Sequence, residues 1–441
     1  MNTKIFKSLL CGGLFAMAAF SMNAQEKPVI FGQEVHSVTP DGKIRCAATE
    51  YNRHVFENFA GDDKNDISET IYRTANSTNQ VLTMPVVVHV IHSGQSVGVG
   101  VNIADGQVLS QITVLNQDFN RMAGTPGYNT DPVGANTEVQ FCLAQTDPNG
   151  NLTNGINRVN LGVTSWTSGN QIRNQVQAVV QWDPTRYYNI YVLNFGGQQM
   201  EDVLGYATLP YQTGLPGLYP GSGSAVDDGF VVGYKYFGSR ALYPSGSYQT
   251  GYDRGRTSTH EMGHALGLLH IWGDAYNCTT DDYCPDTPMQ YEENYYCSAN
   301  TSCGTPDMYR NYMDYTPDTC MNIFTENQKS RIRQALQNGI RRATLLTSGV
   351  CSPPASTDKH SLGMVSLYPN PANDVLNIFV PDNYDFSGDV TIYNTVGQQV
   401  YSGKTTETSL FSIDVSGYTQ GVYFVKISKG SQTKTLQFIK K

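Results

Sequence analysis

The chain has 441 residues and a net charge of −9, with 15% charged and 39% hydrophobic residues. About one residue in seven is Gly or Pro, which excludes a coiled coil, a collagen and a highly charged disordered chain. The negative charge disfavours nucleic acid as a partner, and nine Cys point to an oxidising compartment if they pair.

At the N-terminus, Lys4 and Lys7 precede an apolar stretch from Ser8 to Phe20, and small residues end at Ala24. This is the pattern of a secretory signal peptide over residues 1–24, leaving Gln25 first. The apolar run is too short to cross roughly 30 Å of hydrocarbon, and no later stretch approaches ~20 apolar residues, so no membrane span is expected after signal removal. Residues 25–80 are polar and mixed, with one cysteine, Cys46, and no strong periodicity. Within them the Asp62-Asp63-Lys64-Asn65-Asp66 cluster reads as an exposed loop.

The texture then changes. Leu82–His92 is a β-branched apolar run and reads as a buried strand. Val108, Ile112, Leu115 and Phe119 form a helical stripe over Asp105–Phe119. Val139–Ala144, Tyr188–Leu193 and Phe230–Tyr234 read as further strands, so strands and helices alternate and an α/β (α+β) fold is expected over residues 81–346. Cys142 lies in an apolar strand and reads as a buried residue.

The run His260-Glu261-Met262-Gly263-His264-Ala265-Leu266-Gly267-Leu268-Leu269-His270 carries the chemistry. His260 and His264, four apart on a helix, share a face and can converge on one cation. Gly267 lets the chain leave the helix through a left-handed turn and return His270 as a third ligand. Three imidazoles with one open position suit catalytic zinc. Glu261, at the rim of the same site, is placed to take a proton from a zinc-bound water.

Residues 347–363 read as a linker with two prolines and many small polar residues. Beyond it, residues 364–441 hold short strand candidates at regular spacing, Val375–Val380, Val390–Tyr393, Gln399–Tyr401, Leu410–Val415, Gly421–Ser428 and Thr433–Ile439, which suggest a small β-sandwich. Tyr368-Pro369-Asn370-Pro371 reads as a rigid turn entering its first strand.

The eleven-residue histidine run is the metzincin pattern. Together with the Asp286-Thr287-Pro288 loop and the NYMDYTPDTCMNIFTENQ segment, it resembles the pappalysins, specifically their bacterial branch. The resemblance covers roughly residues 80–346 and implies a metallo-endopeptidase of proteins and peptides, with zinc on His260, His264 and His270 and Glu261 as general base and acid. Met313 is implied as the apolar floor of a Met-turn, and Tyr315 as a donor to the oxyanion. Asp318 is implied as the acidic residue that receives an Arg (or Lys) just after the scissile bond, with bidentate pairing favouring Arg.

Between His270 and Met313 the loop is acidic, and its oxygens suit calcium. The resemblance implies calcium there, with Asp286, Thr287 and Gln290 as participants. The cysteines of this region permit several pairings. By resemblance Cys284–Cys303 and Cys297–Cys320 are favoured, with Cys278 and Cys351 unassigned. The spacing lacks the paired CxxC of a zinc ribbon.

Cys46 has the chemistry to block the zinc site, because a thiolate can take zinc's open position. Related zymogens use such a switch, which implies latency, with Arg53 and Arg73 as candidate self-cleavage points. The segments SLYPNPANDVLNI, VTIYNTVGQQVYSG and GVYFVKISKGSQTKTLQFIKK resemble the sorting domain of type IX secretion. That implies export through the periplasm of a Gram-negative bacterium, by that machinery, to the medium or the cell surface. The rival expectation is a surface adhesin or binding protein with an inert zinc site; the presence of Glu261 argues against it.

Overall fold

The computed structural model describes residues 27–59, 80–218, 224–353, 365–379, 388–405, 410–429 and 432–441. The expected signal peptide, the Asp62–Asp66 loop, Arg73 and linker residues 354–363 lie outside the described residues. In chain order the N-terminal segment supplies a hairpin, β1 (Val29–Ile30) with β2 (Gln33–Glu34), and a helix, α1 (Ala48–Phe59). The polar texture of residues 25–80 hid this helix. Its buried face rests on Ala48, Tyr51 and Val55, whose spacings of three and four carried a short helical signal.

The main sheet is built on β3 (Leu82–His92), which pairs in parallel on one side with β4 (Val139–Leu143) and β5 (Ile156–Asn160), and on the other with β6 (Tyr188–Leu193). Next comes β8 (Gly229–Gly233), parallel to β6, and then β7 (Gly205–Ala207), antiparallel to β8 and at the edge. Strand β3 is apolar and buried along most of its length because helices and loops cover both faces. On one face α2 (Asp105–Phe119) packs Val108, Leu115 and Phe119 into a core shared with Met262, Leu266 and Met313. On the other face Ile30, Val35, Ile44, Tyr51 and Val55 of the N-terminal segment join Trp166, Tyr191, Tyr206 and Val231 in a second core. The N-terminal segment is therefore folded onto the sheet by apolar burial.

Short helical turns α3 (Gly169–Ile172), α4 (Ala178–Val180) and α5 (Gly197–Met200) link the strands, and α6 (Arg256–Ala265) carries the histidine run. A small hairpin, β9 (Thr301–Ser302) with β10 (Thr305–Pro306), precedes α7 (Glu326–Asn338) and α8 (Ile340–Leu345). Helix α7 starts at a capping box between Thr325 and Gln328.

The C-terminal strands form two antiparallel sheets: β11 (Ser366–Tyr368), β12 (Val375–Phe379) and β15 (Leu410–Asp414) in one, and β13 (Asp389–Asn394), β14 (Gln399–Lys404), β16 (Gly421–Lys429) and β17 (Gln432–Lys440) in the other. Leu376, Ile378, Val390, Ile392, Val425 and Phe438 fill the space between them. A small β-sandwich thus follows an α/β unit. Among the described residues, no helix is long and apolar enough to cross a membrane.

Three disulfides join Cys142–Cys351, Cys278–Cys303 and Cys297–Cys320. The expected Cys284–Cys303 bridge is not formed. Cys303 pairs with Cys278, whose Cα lies 5.4 Å away, within disulfide reach. Cys284 sits deeper as a free buried thiol, in a turn whose backbone bonds to Asp282 and Thr287. Cys142 is not simply buried in its strand either. It staples Cys351, shortly after α8, to β4.

Candidate active site

Helix α6 begins after Gly255, whose φ of 81° turns the chain into it. Asp318 holds that start: its Oδ2 accepts the backbone N–H of Arg254 at 2.9 Å and of Arg256 at 3.2 Å. The anion also complements the helix dipole. From α2, the buried Asp118 accepts Arg256 Nη2 at 2.9 Å and Thr259 Oγ1 at 2.8 Å. The helix is thus clamped immediately before His260.

After Ala265 the helix ends, Gly267 adopts φ 88°, and the chain folds back to His270. The three Nε2 atoms converge: His260 to His264 3.1 Å, His264 to His270 3.1 Å, and His260 to His270 3.3 Å. The opposite ring nitrogens decide what those atoms are. Nδ1 of His260 meets the carbonyl of Tyr312 at 2.7 Å, and Nδ1 of His264 that of Leu268 at 2.9 Å. Nδ1 of His270 meets the carboxylate of Asp274 at 2.7 Å. A carbonyl or carboxylate only accepts, so each Nδ1 carries the proton and each Nε2 presents a lone pair. Three lone pairs facing one point in a buried site fit a cation there. Burial and the neighbouring imidazoles push His260 well below its ordinary pKa, and His264 falls to about 3, so both rings are neutral, as ligation requires. Among the described residues, the one group of His, Cys and acidic side chains close enough to hold an ion is Cys46, His260, His264 and His270.

Glu261 is fully buried beside them, and burial raises its carboxyl to about 8. Its Oε2 accepts the Cys46 thiol at 3.5 Å, while Oε1 has no hydrogen-bond partner among the described residues. Burial and the Glu261 charge hold the Cys46 thiol well above its ordinary pKa, so it stays protonated; a cation among the imidazoles would reverse that, since a coordinating thiol loses its proton. Below the histidines lies Met313. A Cβ on Gly263 would come within 2.4 Å of its Sδ, so the glycine between the two helical histidines is what lets Met313 approach. The Tyr315 hydroxyl lies 3.2 Å from His270 Nε2 and donates to the Cys46 carbonyl at 3.3 Å.

The N-terminal segment fills the cleft. Residues 44–47 add to the β7 edge: Ile44 N bonds Asp202 O at 2.9 Å, Leu204 N bonds Ile44 O at 2.9 Å, and Ala47 N bonds Gly205 O at 3.0 Å. Cys46 then sits at the histidines and Arg45 enters the pocket of Asp318, with Nη2 to Oδ1 at 3.2 Å and both side chains buried. A small cavity of about 30 Å³ lies beside Tyr315 and Asp274. A far larger cavity, about 750 Å³, opens on α2 and β4 and includes none of the histidines.

Asp318 and the expected calcium residues all have partners within the fold. Asp318 does not form a bidentate pair with its guanidinium partner, because Oδ2 is committed to the start of α6. Asp286 accepts from Thr325 Oγ1 and Asn327 N at the start of α7, Thr287 donates to Asp282 and Cys284 O, and Gln290 donates to Asp314 and Glu292 O. Sequence reasoning missed Arg45, although a basic residue beside the lone cysteine was a visible sign. It also missed Asp274 as the partner of His270, which the i, i+4 spacing hinted at.

The family profile described as Pregnancy-associated plasma protein-A matches residues 170–337, and that of the secretion system C-terminal sorting domain matches residues 366–441. Mature mirolysin of Tannerella forsythia, solved with a cleaved peptide, is 37% identical with a TM-score of 0.51, covering 62% of this chain and 99% of its own. An extracellular metalloprotease of Arthroderma benhamiae is 30% identical over 257 residues, 58% of this chain and 77% of that protein. The chain belongs to the pappalysin family. It is a zinc metalloendopeptidase acting on protein substrates. Its sorting domain is of the type IX kind, and the peptidase is secreted or displayed at the cell surface. A binding protein with an inert zinc site is not favoured beside these relatives. Promirolysin of the same organism, 35% identical with a TM-score of 0.51, covers 68% of this chain and 92% of its own.

Proposed function

We propose that this pappalysin is made as a latent precursor and cleaves proteins just before Arg (or Lys). His260, His264 and His270 hold the zinc. Zinc, when bound, supplies a Lewis acid and lowers the pKa of a water to about 7. Glu261 takes the proton of the attacking water and returns it to the leaving amine. Tyr315 donates its hydroxyl hydrogen to the developing oxyanion, and Met313 supports the histidines from below. The convergence of three Nε2 lone pairs within 3.3 Å, with Glu261 beside them, carries this reading.

Residues 25–80 act as the pro-segment, with residues 81–346 catalytic, 347–363 a linker and 364–441 the sorting domain. Cys46 blocks the zinc position. Arg45 in the Asp318 pocket stands in for the substrate side chain that follows the scissile bond, which supports a preference for a basic residue there. Self-cleavage after displacement of this segment, for instance near the exposed Arg53, releases the enzyme. The route is that of a Gram-negative cell, through the periplasm after loss of residues 1–24.

Purified enzyme is tested on a peptide library with and without chelator, beside Glu261→Gln and Asp318→Asn. Glu261→Gln is expected to lose at least 100-fold in kcat/KM while binding zinc. Asp318→Asn is expected to lose the preference for basic residues. Cleavage at wild-type rate by Glu261→Gln overturns the mechanism, and an intact Arg preference in Asp318→Asn overturns the pocket.

A further inference from the structure

The Asp318 pocket offers a single carboxylate oxygen to a bound cation. Oδ1 takes Arg45 Nη2 at 3.2 Å, and Oδ2 takes the two backbone N–H groups that start α6. A lysine ammonium satisfies a one-point contact as well as a guanidinium does, so Asp318 gives charge selection without telling Arg from Lys. Two other groups touch the buried guanidinium. The ring of Tyr252 lies beneath it, with Cζ 5.4 Å from the centroid, and Met321 Sδ is 3.2 Å from Nη2. Tyr252 is itself buried and its ring is fixed edge-on against Tyr236 at 6.0 Å and 88°. A fixed aromatic face favours a flat, delocalised and weakly hydrated cation over a compact ammonium on a flexible stem.

We propose that Tyr252 is the specificity-determining residue that makes this pocket select Arg over Lys, acting through its ring face while Asp318 supplies the charge. This rests on the reading that the pocket receives the side chain after the scissile bond. The tyrosine hydroxyl is dispensable for it: in the precursor that hydroxyl donates to Asp41 of the pro-segment at 3.0 Å and leaves Arg45 to the ring.

The full chain is expressed, allowed to mature, and given matched peptides that differ only in Arg or Lys after the scissile bond. Tyr252→Leu is expected to lower the Arg:Lys ratio of kcat/KM about 5- to 10-fold, and Tyr252→Phe to keep the ratio within about 2-fold of wild type. Tyr252→Met, which also lacks the ring, gives the same reading if the leucine variant does not accumulate. A wild-type ratio in the ringless variants, or a ratio lost in Tyr252→Phe, overturns the proposal. Asp318→Asn separates the two levels. If it abolishes the basic preference while the ringless variants keep the wild-type ratio, only the role of Tyr252 fails. If it leaves the basic preference intact, the underlying pocket reading fails.

Discussion

Removing the Arg45 side chain from the precursor is expected to speed maturation by about 30- to 150-fold. Arg45 and Asp318 are both buried, with 0% and 1% side-chain exposure, and are joined at 3.2 Å. Breaking a buried ion pair by removing one partner costs about 3–5 kcal/mol, because a charge is stranded. Asp318 keeps two backbone donors here, which lowers that cost. Arg45 also leaves Nε and Nη1 without hydrogen bonds among the described residues, so its own desolvation is only partly offset. About 2–3 kcal/mol remains as its net hold on the closed state, and 1.4 kcal/mol is tenfold in an equilibrium. If cleavage of the pro-segment proceeds from the transiently opened precursor, its rate scales with the open population. The assay follows purified Arg45→Ala, Cys46→Ala and wild-type precursors by gel over time at several dilutions. A dilution-independent acceleration in Arg45→Ala is the expected result. Arg45→Ala maturing as slowly as wild type while Cys46→Ala is fast would show that the basic anchor contributes nothing to latency.

Asp274→Ala removes the carboxylate that orients His270, and zinc affinity read by chelator competition is expected to fall about 10- to 100-fold. Unchanged affinity would make Asp274 a bystander. Asp228, buried between Arg341 and Arg342 with contacts of 2.7 Å to each, anchors α8; Asp228→Ala is expected to cost about 3–5 kcal/mol in chemical denaturation. The two guanidinium charges hold its carboxyl below the ordinary 3.8, against the opposing effect of burial. The unfolded chain therefore binds this proton more tightly, so the stabilisation is complete above that value and is lost as pH falls below it. Wild type should lose stability more steeply below pH 4 than Asp228→Ala, and parallel acid profiles would contradict the assignment. Gly263→Ala places a methyl at 2.4 Å from Met313 Sδ and is expected to cost about 1–3 kcal/mol by displacing the Met-turn, read as a lower Tm.

The histidine site was legible because its geometry is local. Helical spacing brings His260 and His264 together, one left-handed glycine returns His270, and all three lie within eleven residues. The strands Leu82–His92 and Tyr188–Leu193 and the helix Asp105–Phe119 were equally plain, since continuous burial and a 3.6-residue stripe are written in adjacent residues. The helix Ala48–Phe59 was obscured because its apolar stripe, Ala48, Tyr51 and Val55, is narrow and a polar residue, Asn52, is buried beside it by hydrogen bonds to Ala207 O and Leu209 N.

What the sequence by itself determined is therefore the fold class, the metal chemistry and the terminal sandwich. Tertiary structure alone decided which distant groups meet. It paired Cys142 with Cys351 across 209 residues, and Cys303 with Cys278 rather than with the deeper Cys284. It brought Arg45 to Asp318 and Tyr252, and it used one oxygen of Asp318 to start the helix that carries His260. The physical reason is range. Backbone periodicity constrains residues a turn or two apart, whereas bridges, buried ion pairs and ring contacts depend on where the packed sheet and its loops place each side chain.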